Sequence, residues 1–367
     1  MSARPVLVTG DIFRLQPRGG ITRYFVEVVP RLPRETFVLA GLHVSVELDA
    51  LHGRLRDAMR VPHAGVVRRV AAPINAALES AELARTPRAI VHPSYYRDPR
   101  TLPRDRPIVV TVHDMAHERL SALFPARRHW WSRRDPVVHK AALCARADRV
   151  VCNSHATRAD VLELLGLPAA KVHAVPHAGR DWSAVAPAPI AGIDRPWLLW
   201  VGERGGYKNF AATAAAWART PECGDTLLLA IGGGAFTDAE REALAELGVA
   251  DRVRQRDATD GELRWAYEGA EALLYTTLWE GFGLPVLEAL GLGCPVLTSD
   301  RPALREVGGD APCYVDPESP EALRAGIAAV RRSGRDAARR ATGLAQAARF
   351  SWDACAAGLE AVYRELD

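Results

Sequence analysis

Lysine is nearly absent from this chain: of 47 basic side chains only Lys140, Lys171 and Lys208 are lysines, the rest being arginine. That bias reads as high-GC codon usage and has no functional content by itself. Cysteine is scarce and scattered. Cys144, Cys152, Cys223, Cys294, Cys313 and Cys355 show neither CxxC nor Cys/His ligand spacing, so the expectation is buried thiols of a reducing compartment, with no disulfide and no structural metal. No apolar run approaches the roughly 18 residues needed to cross a bilayer. Residues 1–10 hold one arginine and then a short strand-like run rather than a signal peptide, which predicts a soluble chain of the cytoplasm. A net charge of +3 is too small to argue for nucleic acid, and no aromatic-basic recognition motif is present.

What is there is ordinary globular composition, 48% hydrophobic and 25% charged, and 367 residues ask for two domains. Short β-branched runs alternate with longer Ala/Arg/Leu-rich amphipathic segments, the pattern of parallel sheets covered by helices. The first series of runs is 5–10, 36–40, 89–92, 108–113, 149–153 and 171–175. A second lies at 197–202, 226–231, 252–256, 272–276, 295–298 and 313–316. Between them, residues 184–192 are rich in Pro and Ala without amphipathic period and read as a linker. The fold class is therefore α/β, with an amino-terminal domain of 1–185 and a second of 186–349. Two such sheets are expected to leave a ligand cleft at the carboxyl ends of their strands.

The most informative stretch is LWEGFGLPVLEAL at residues 278–290. A strand ending near Thr277 runs into glycines, and Pro285 suits a first helical turn, so a helix is expected to start there with Glu288 in that turn. Helical side chains lean toward the amino end, so Glu288 should point back at the loop carrying Glu280. Two carboxylates would then converge beside exposed amides of Gly281, Phe282, Gly283 and Leu284, whose dipole end favours an anion. Amides suit a phosphate and carboxylates accept from hydroxyls; a sugar nucleotide offers both. The bland alternative is a tight turn with a solvated acidic cap.

These residues carry a resemblance. Glu280 and Glu288, spaced E-x7-E, are similar to the signature of the retaining glycosyltransferases of family 4, whose GT-B architecture has two facing Rossmann-like domains. Segments 299–310 and 314–317 resemble the family's segment after that motif, and Phe350-Ser-Trp352 the start of its closing helix, which implies that 350–367 cross back onto the first domain. The resemblance implies that Glu280 contacts the donor sugar and Glu288 the ribose of the nucleotide. Arg204 and Lys208, in the VGERGGYKN loop after the first strand of the second domain, would grip the diphosphate. Gly19 and Gly20, between a strand and a helix, would face the donor phosphate, and His113 would bond the donor sugar. Asn153-Ser154, and His177 with Gly179, also match family segments.

Further candidates are weaker by chemistry alone. Asp114, beside His113, and Tyr95, Tyr96 and Arg97, beyond the strand that ends near His92, are candidates for the acceptor side. Arg127, Arg128, Trp130, Trp131, Arg133 and Arg134 suit an anionic membrane surface or phosphorylated acceptor, the alternative being a helix with its tryptophans packed inward. Residues 231–235, IGGGA, lack the full dinucleotide fingerprint and read as a loop. The expectation is a metal-independent, cofactor-free transferase acting on a nucleoside-diphosphate sugar, GDP-mannose as first guess, and a glycan or lipid-linked acceptor. The missing D-x-D triplet agrees with the absence of a metal. A nicotinamide oxidoreductase leaves Glu280 and Glu288 unexplained. A non-catalytic sugar-nucleotide binder should have lost a donor-gripping residue, and a phosphorylase needs a lysine for pyridoxal phosphate.

Overall fold

The computed structural model describes residues 3–51, 53–62, 65–124 and 136–367. Contacts divide the chain into two units. The first comprises Met1–Met115, Ala126–His177 and Ser351–Asp367, the second Ala116–Pro125 and Ala178–Phe350.

The first unit carries β1 (Val6–Thr9), β2 (Thr36–Leu39), β3 (Leu42–His43), β4 (Leu55–Arg56), β5 (Met59–Arg60), β6 (Ile90–His92), β7 (Val109–Val112), β8 (Arg149–Cys152) and β9 (Val172–Ala174). A parallel sheet in the order β4-β2-β1-β6 is joined to a second, β7-β8-β9, through a parallel bridge between Val91 and Ile108. Every residue of β1, β2 and β7 is buried. Helices on both faces of a parallel sheet demand apolar residues at successive positions, which is why these strands show no alternation. The carboxyl-terminal helix Trp352–Arg364 is part of this unit: Arg34 forks onto Glu360 at 2.7 and 2.8 Å, and His92 Nδ1 meets the Tyr363 hydroxyl at 2.6 Å.

The second unit is one parallel sheet of β10 (Trp197–Val201), β11 (Leu227–Ile231), β12 (Val253–Arg256), β13 (Ala272–Tyr275), β14 (Val296–Ser299) and β15 (Cys313–Val315). The order β12-β11-β10-β13-β14-β15 runs outward in both directions from the β10/β13 pair. Successive residues feed opposite cores: Leu199 and Leu273 pack with Val286 and Leu290, while Leu198 and Leu274 pack with Trp200, Trp217 and Ile327. Capping boxes, Thr237 with Glu240 and Thr259 with Glu262, start two of the covering helices. All six cysteines are free thiols, five of them buried.

Candidate functional site

In a doubly wound sheet the loops from the two strands flanking the reversal of order diverge, and a crevice opens at their carboxyl ends. In the second unit those strands are β10 and β13. β10 runs into the loop holding Lys208, β13 into the loop holding Glu280. Asn209, in a left-handed conformation at φ +67° that asparagine tolerates, ties them together through Nδ2 bonds to the Thr276 and Pro317 carbonyls at 3.0 and 2.9 Å. The Leu278 amide adds a bond to the Tyr207 carbonyl at 2.8 Å. So placed, Lys208 Nζ lies 2.6 Å from Glu280 Oε1, and the Tyr275 hydroxyl donates to the same oxygen at 2.9 Å. Glu280 Oε2 has no hydrogen-bond partner among the described residues. Burial works against the Lys208 ammonium, but Glu280 and the neighbouring Tyr275 and Tyr207 hold its pKa well above the ordinary value. Burial and then Glu280 push the Tyr275 phenol well up, so it stays protonated and donates.

The helix after Glu280 begins one residue before Pro285, as Leu284–Gly291. Gly283 caps it at φ +107°, and a Cβ there would stand 2.6 Å from Leu304 Cδ2. Glu288 is consequently in the second turn, not the first as the proline suggested. It is buried, and the Tyr267 hydroxyl donates to its Oε2 at 3.2 Å. Its partner thus differs from those of Glu280. Gly281, Phe282 and Gly283 are buried rather than exposed, and Phe282 packs in the core against Phe350, ring centroids 5.7 Å apart. Leu284 is half-buried.

Arg204 does not join Lys208. Its guanidinium is buried and donates to Glu240 Oε1 at 2.7 Å, to the Gly232 carbonyl at 2.7 Å and to the Ala235 carbonyl at 3.2 Å. The three glycines 232–234 all have positive φ, and the turn they make brings the carbonyls of Gly232, Gly233 and Ala235 around the cation. A Cβ on Gly233 would lie 2.7 Å from Arg204 Nη1. Beyond Ile231, which ends β11, the IGGGA segment is a loop, and it holds Arg204.

In the first unit Gly19 precedes, and Gly20 opens, the helix Gly20–Val28. Glu47 lies near that helix end, where burial holds its carboxyl above its usual range, opposed by Arg23, 3.4 Å away, and by the Gly19 amide. His113 follows β7, buried, with Nε2 lacking a hydrogen-bond partner among the described residues; Asn153 Nδ2 holds its carbonyl at 2.7 Å. Burial pushes the His113 imidazole down to about 4, so it is neutral at pH 7. Tyr24 stacks on His177 at 4.4 Å and meets the His113 ring edge-on at 5.5 Å. Tyr96 is buried, its hydroxyl accepting from the His113 amide at 3.4 Å, and Tyr95 lies against it. Arg97 is tied to Glu79 at 2.9 Å and Asp11 at 3.4 Å. The Asp114 carbonyl accepts from buried Lys140 at 3.0 Å. Arg127, Arg128, Trp130, Trp131, Arg133 and Arg134 lie outside the described residues, so their membrane contact finds no support. Among the described residues no helix is long and apolar enough to cross a membrane.

Two family models match in succession: "Glycosyltransferase Family 4" over residues 18–178 and "Glycosyl transferases group 1" over 191–346. The chain belongs to glycosyltransferase family 4. The O-antigen chain mannosyltransferase B of Escherichia coli is 43% identical over 98 residues, 26% of each chain. A D-inositol 3-phosphate glycosyltransferase of Thermobispora bispora is 31% identical over 281 residues, 71% of this chain and 65% of that one. The matches thus span less than two thirds of either relative. This family 4 member shares its GT-B fold with the Anabaena protein Alr3699/HepE solved with UDP-glucose, at a TM-score of 0.74 and 15% identity, covering 99% of this chain and 100% of that one. Residues that the reading of the sequence passed over are Tyr275, Tyr267, Glu240 and Glu47. Two of them are tyrosines, Tyr275 in an apolar strand run and Tyr267 on the buried face of an amphipathic helix, where the sequence pattern signals only core.

Proposed function

We propose that this family 4 member is a retaining, metal-independent glycosyltransferase that moves a sugar from a nucleoside diphosphate to an acceptor hydroxyl in polysaccharide or glycoconjugate synthesis, with GDP-mannose as the donor to try first. The observation that carries the reading is the Lys208–Glu280–Tyr275 cluster at the reversal of the second sheet, with one carboxylate oxygen clamped and the other without a partner among the described residues. A sugar hydroxyl can donate to that oxygen while the ammonium meets the diphosphate. Departure of the diphosphate builds negative charge that Lys208 and the helix end following Gly283 are placed to offset, and such preorganised charge is a large share of catalysis. Arg204, paired with Glu240, acts in this reading by shaping the loop that carries Lys208. Glu288 takes the ribose, and Gly281, Phe282, Gly283 and Leu284 form the turn beneath the donor.

In the first unit, Gly19 and Gly20 bring backbone close to the donor phosphate, and neutral His113 bonds the donor sugar. Asp114, Tyr95, Tyr96 and Arg97 stand on the acceptor side; of these, Arg97 works through its ion pairs with Glu79 and Asp11. The mannosyltransferase name of the E. coli relative supports a mannose donor.

The test is a melting series with UDP, GDP and ADP followed by consumption of the corresponding sugar nucleotides. A ligand bound only by the folded state at about 100 times its Kd adds about 2.7 kcal/mol of stability. One nucleotide is expected to raise the melting temperature by several degrees. No shift with any of them, and no sugar nucleotide consumed, would remove the proposal.

A further inference from the structure

We propose that Tyr275 is a positioning residue for Glu280, its hydroxyl keeping the carboxylate in place while an incoming diphosphate draws Lys208 toward itself. The inference rests on the donor-site reading above.

Glu280 Oε1 accepts from two donors on supports of very different stiffness. Tyr275 closes β13, is 4% exposed, and packs in the same core as Phe282, Val286 and Leu287, so its ring has no room to follow a moving partner. Lys208 ends a one-turn helix, Gly206–Lys208, entered through Gly205 and a left-handed Gly206, and reaches Glu280 on four methylenes. A diphosphate carries more charge than a single carboxylate and competes for that ammonium. Lys208 is therefore the donor that can be drawn away, and Tyr275 the donor that stays. Without the phenol, Glu280 would lose its remaining partner when the donor binds, and Oε2 would no longer be presented at one fixed place. The same relation recurs on the second carboxylate, where buried Tyr267 donates to Glu288 at 3.2 Å. Two tyrosines thus orient two carboxylates, one proposed to meet the reacting sugar and the other the non-reacting ribose.

Tyr275→Phe removes only the hydroxyl and leaves the ring to fill the core. The measurements are calorimetry with free GDP and UDP, initial rates with GDP-mannose and UDP-glucose, and melting temperature, with Tyr267→Phe alongside. Tyr275→Phe is expected to hold the Kd for the free nucleoside diphosphate within about 2-fold of wild type while kcat falls by about 10-fold, the effect of one hydrogen bond to a charged group. Tyr267→Phe is expected to show the opposite balance, weakening nucleotide binding more than it lowers kcat. Unchanged kcat in Tyr275→Phe, or parallel losses of nucleotide affinity, melting temperature and turnover, would overturn the inference and leave the donor-site reading standing. Failure of the wild type to bind GDP, UDP or ADP, or to use any of their sugar nucleotides, would overturn the inference together with its premise.

Discussion

Glu280 and Glu288 belong to one short motif but keep different company, and their substitutions should separate accordingly. Glu280→Gln preserves shape and removes the charge proposed to face the sugar; kcat is expected to fall about 100-fold with nucleoside diphosphate affinity little changed. Glu288→Gln should instead weaken nucleotide binding at nearly constant kcat. Steady-state kinetics with calorimetry on both variants decides this, and equal losses of affinity with unaltered turnover would cancel the assignment. Lys208→Ala is expected to cost diphosphate binding about 10- to 100-fold while leaving nucleoside binding alone, if its charge meets the phosphate as proposed. Similar losses for nucleoside and nucleoside diphosphate would show that Lys208 supports the loop instead.

At the scale of elements, Arg204 and the loop of residues 232–234 form one unit. Arg204→Met takes a buried cation from the half-buried Glu240 and strips three backbone carbonyls of their donor. A loss of about 3 kcal/mol is expected, visible as a melting temperature lower by several degrees. Gly233→Ala, strained at φ +72° and driven against Arg204, should act in the same direction. Unchanged melting in both variants would contradict the anchoring role. Strand elements were legible beforehand: the runs at 36–40, 149–153 and 272–276 became β2, β8 and β13 to within a residue, because both-face burial writes itself as uninterrupted apolar sequence. β3, β4 and β5 were not, since two residues cannot display a period and Met59 and Arg60 are exposed. Glu280 and Lys208 were readable from glycine, charge and the position of a loop after a strand. The partner Glu240 was not, because it nears Arg204 only when the sheet forms, and Tyr275, five residues before Glu280, ends an apolar strand run that signals only core.

At the scale of the whole molecule, buried imidazoles set a pH limit. Burial holds His92 near 3 and His113 at about 4, and it carries His177 well below its ordinary value. The unfolded chain protonates these rings below about pH 6.5 whereas the fold does not, so it binds more protons than the native state in that window. Their contribution is complete above pH 6.5 and declines as pH falls toward 4, by up to about 1.4 kcal/mol per unit for each ring. Urea midpoints measured from pH 7.5 to 4.5 should drop steadily; a flat profile would contradict the neutral, buried state of these histidines. The central claim concerns chemistry, and the most direct test is the anomeric configuration of the first-formed product. If leaving and attack share one face of the sugar, with the departing phosphate taking the acceptor proton, no opposing general base is needed and the donor's configuration is kept. NMR reads it through proton coupling for gluco-type sugars and one-bond carbon–proton coupling for manno-type ones. The account predicts retention in the presence of EDTA; an inverted linkage, or activity abolished by EDTA and restored by a divalent metal, would contradict it.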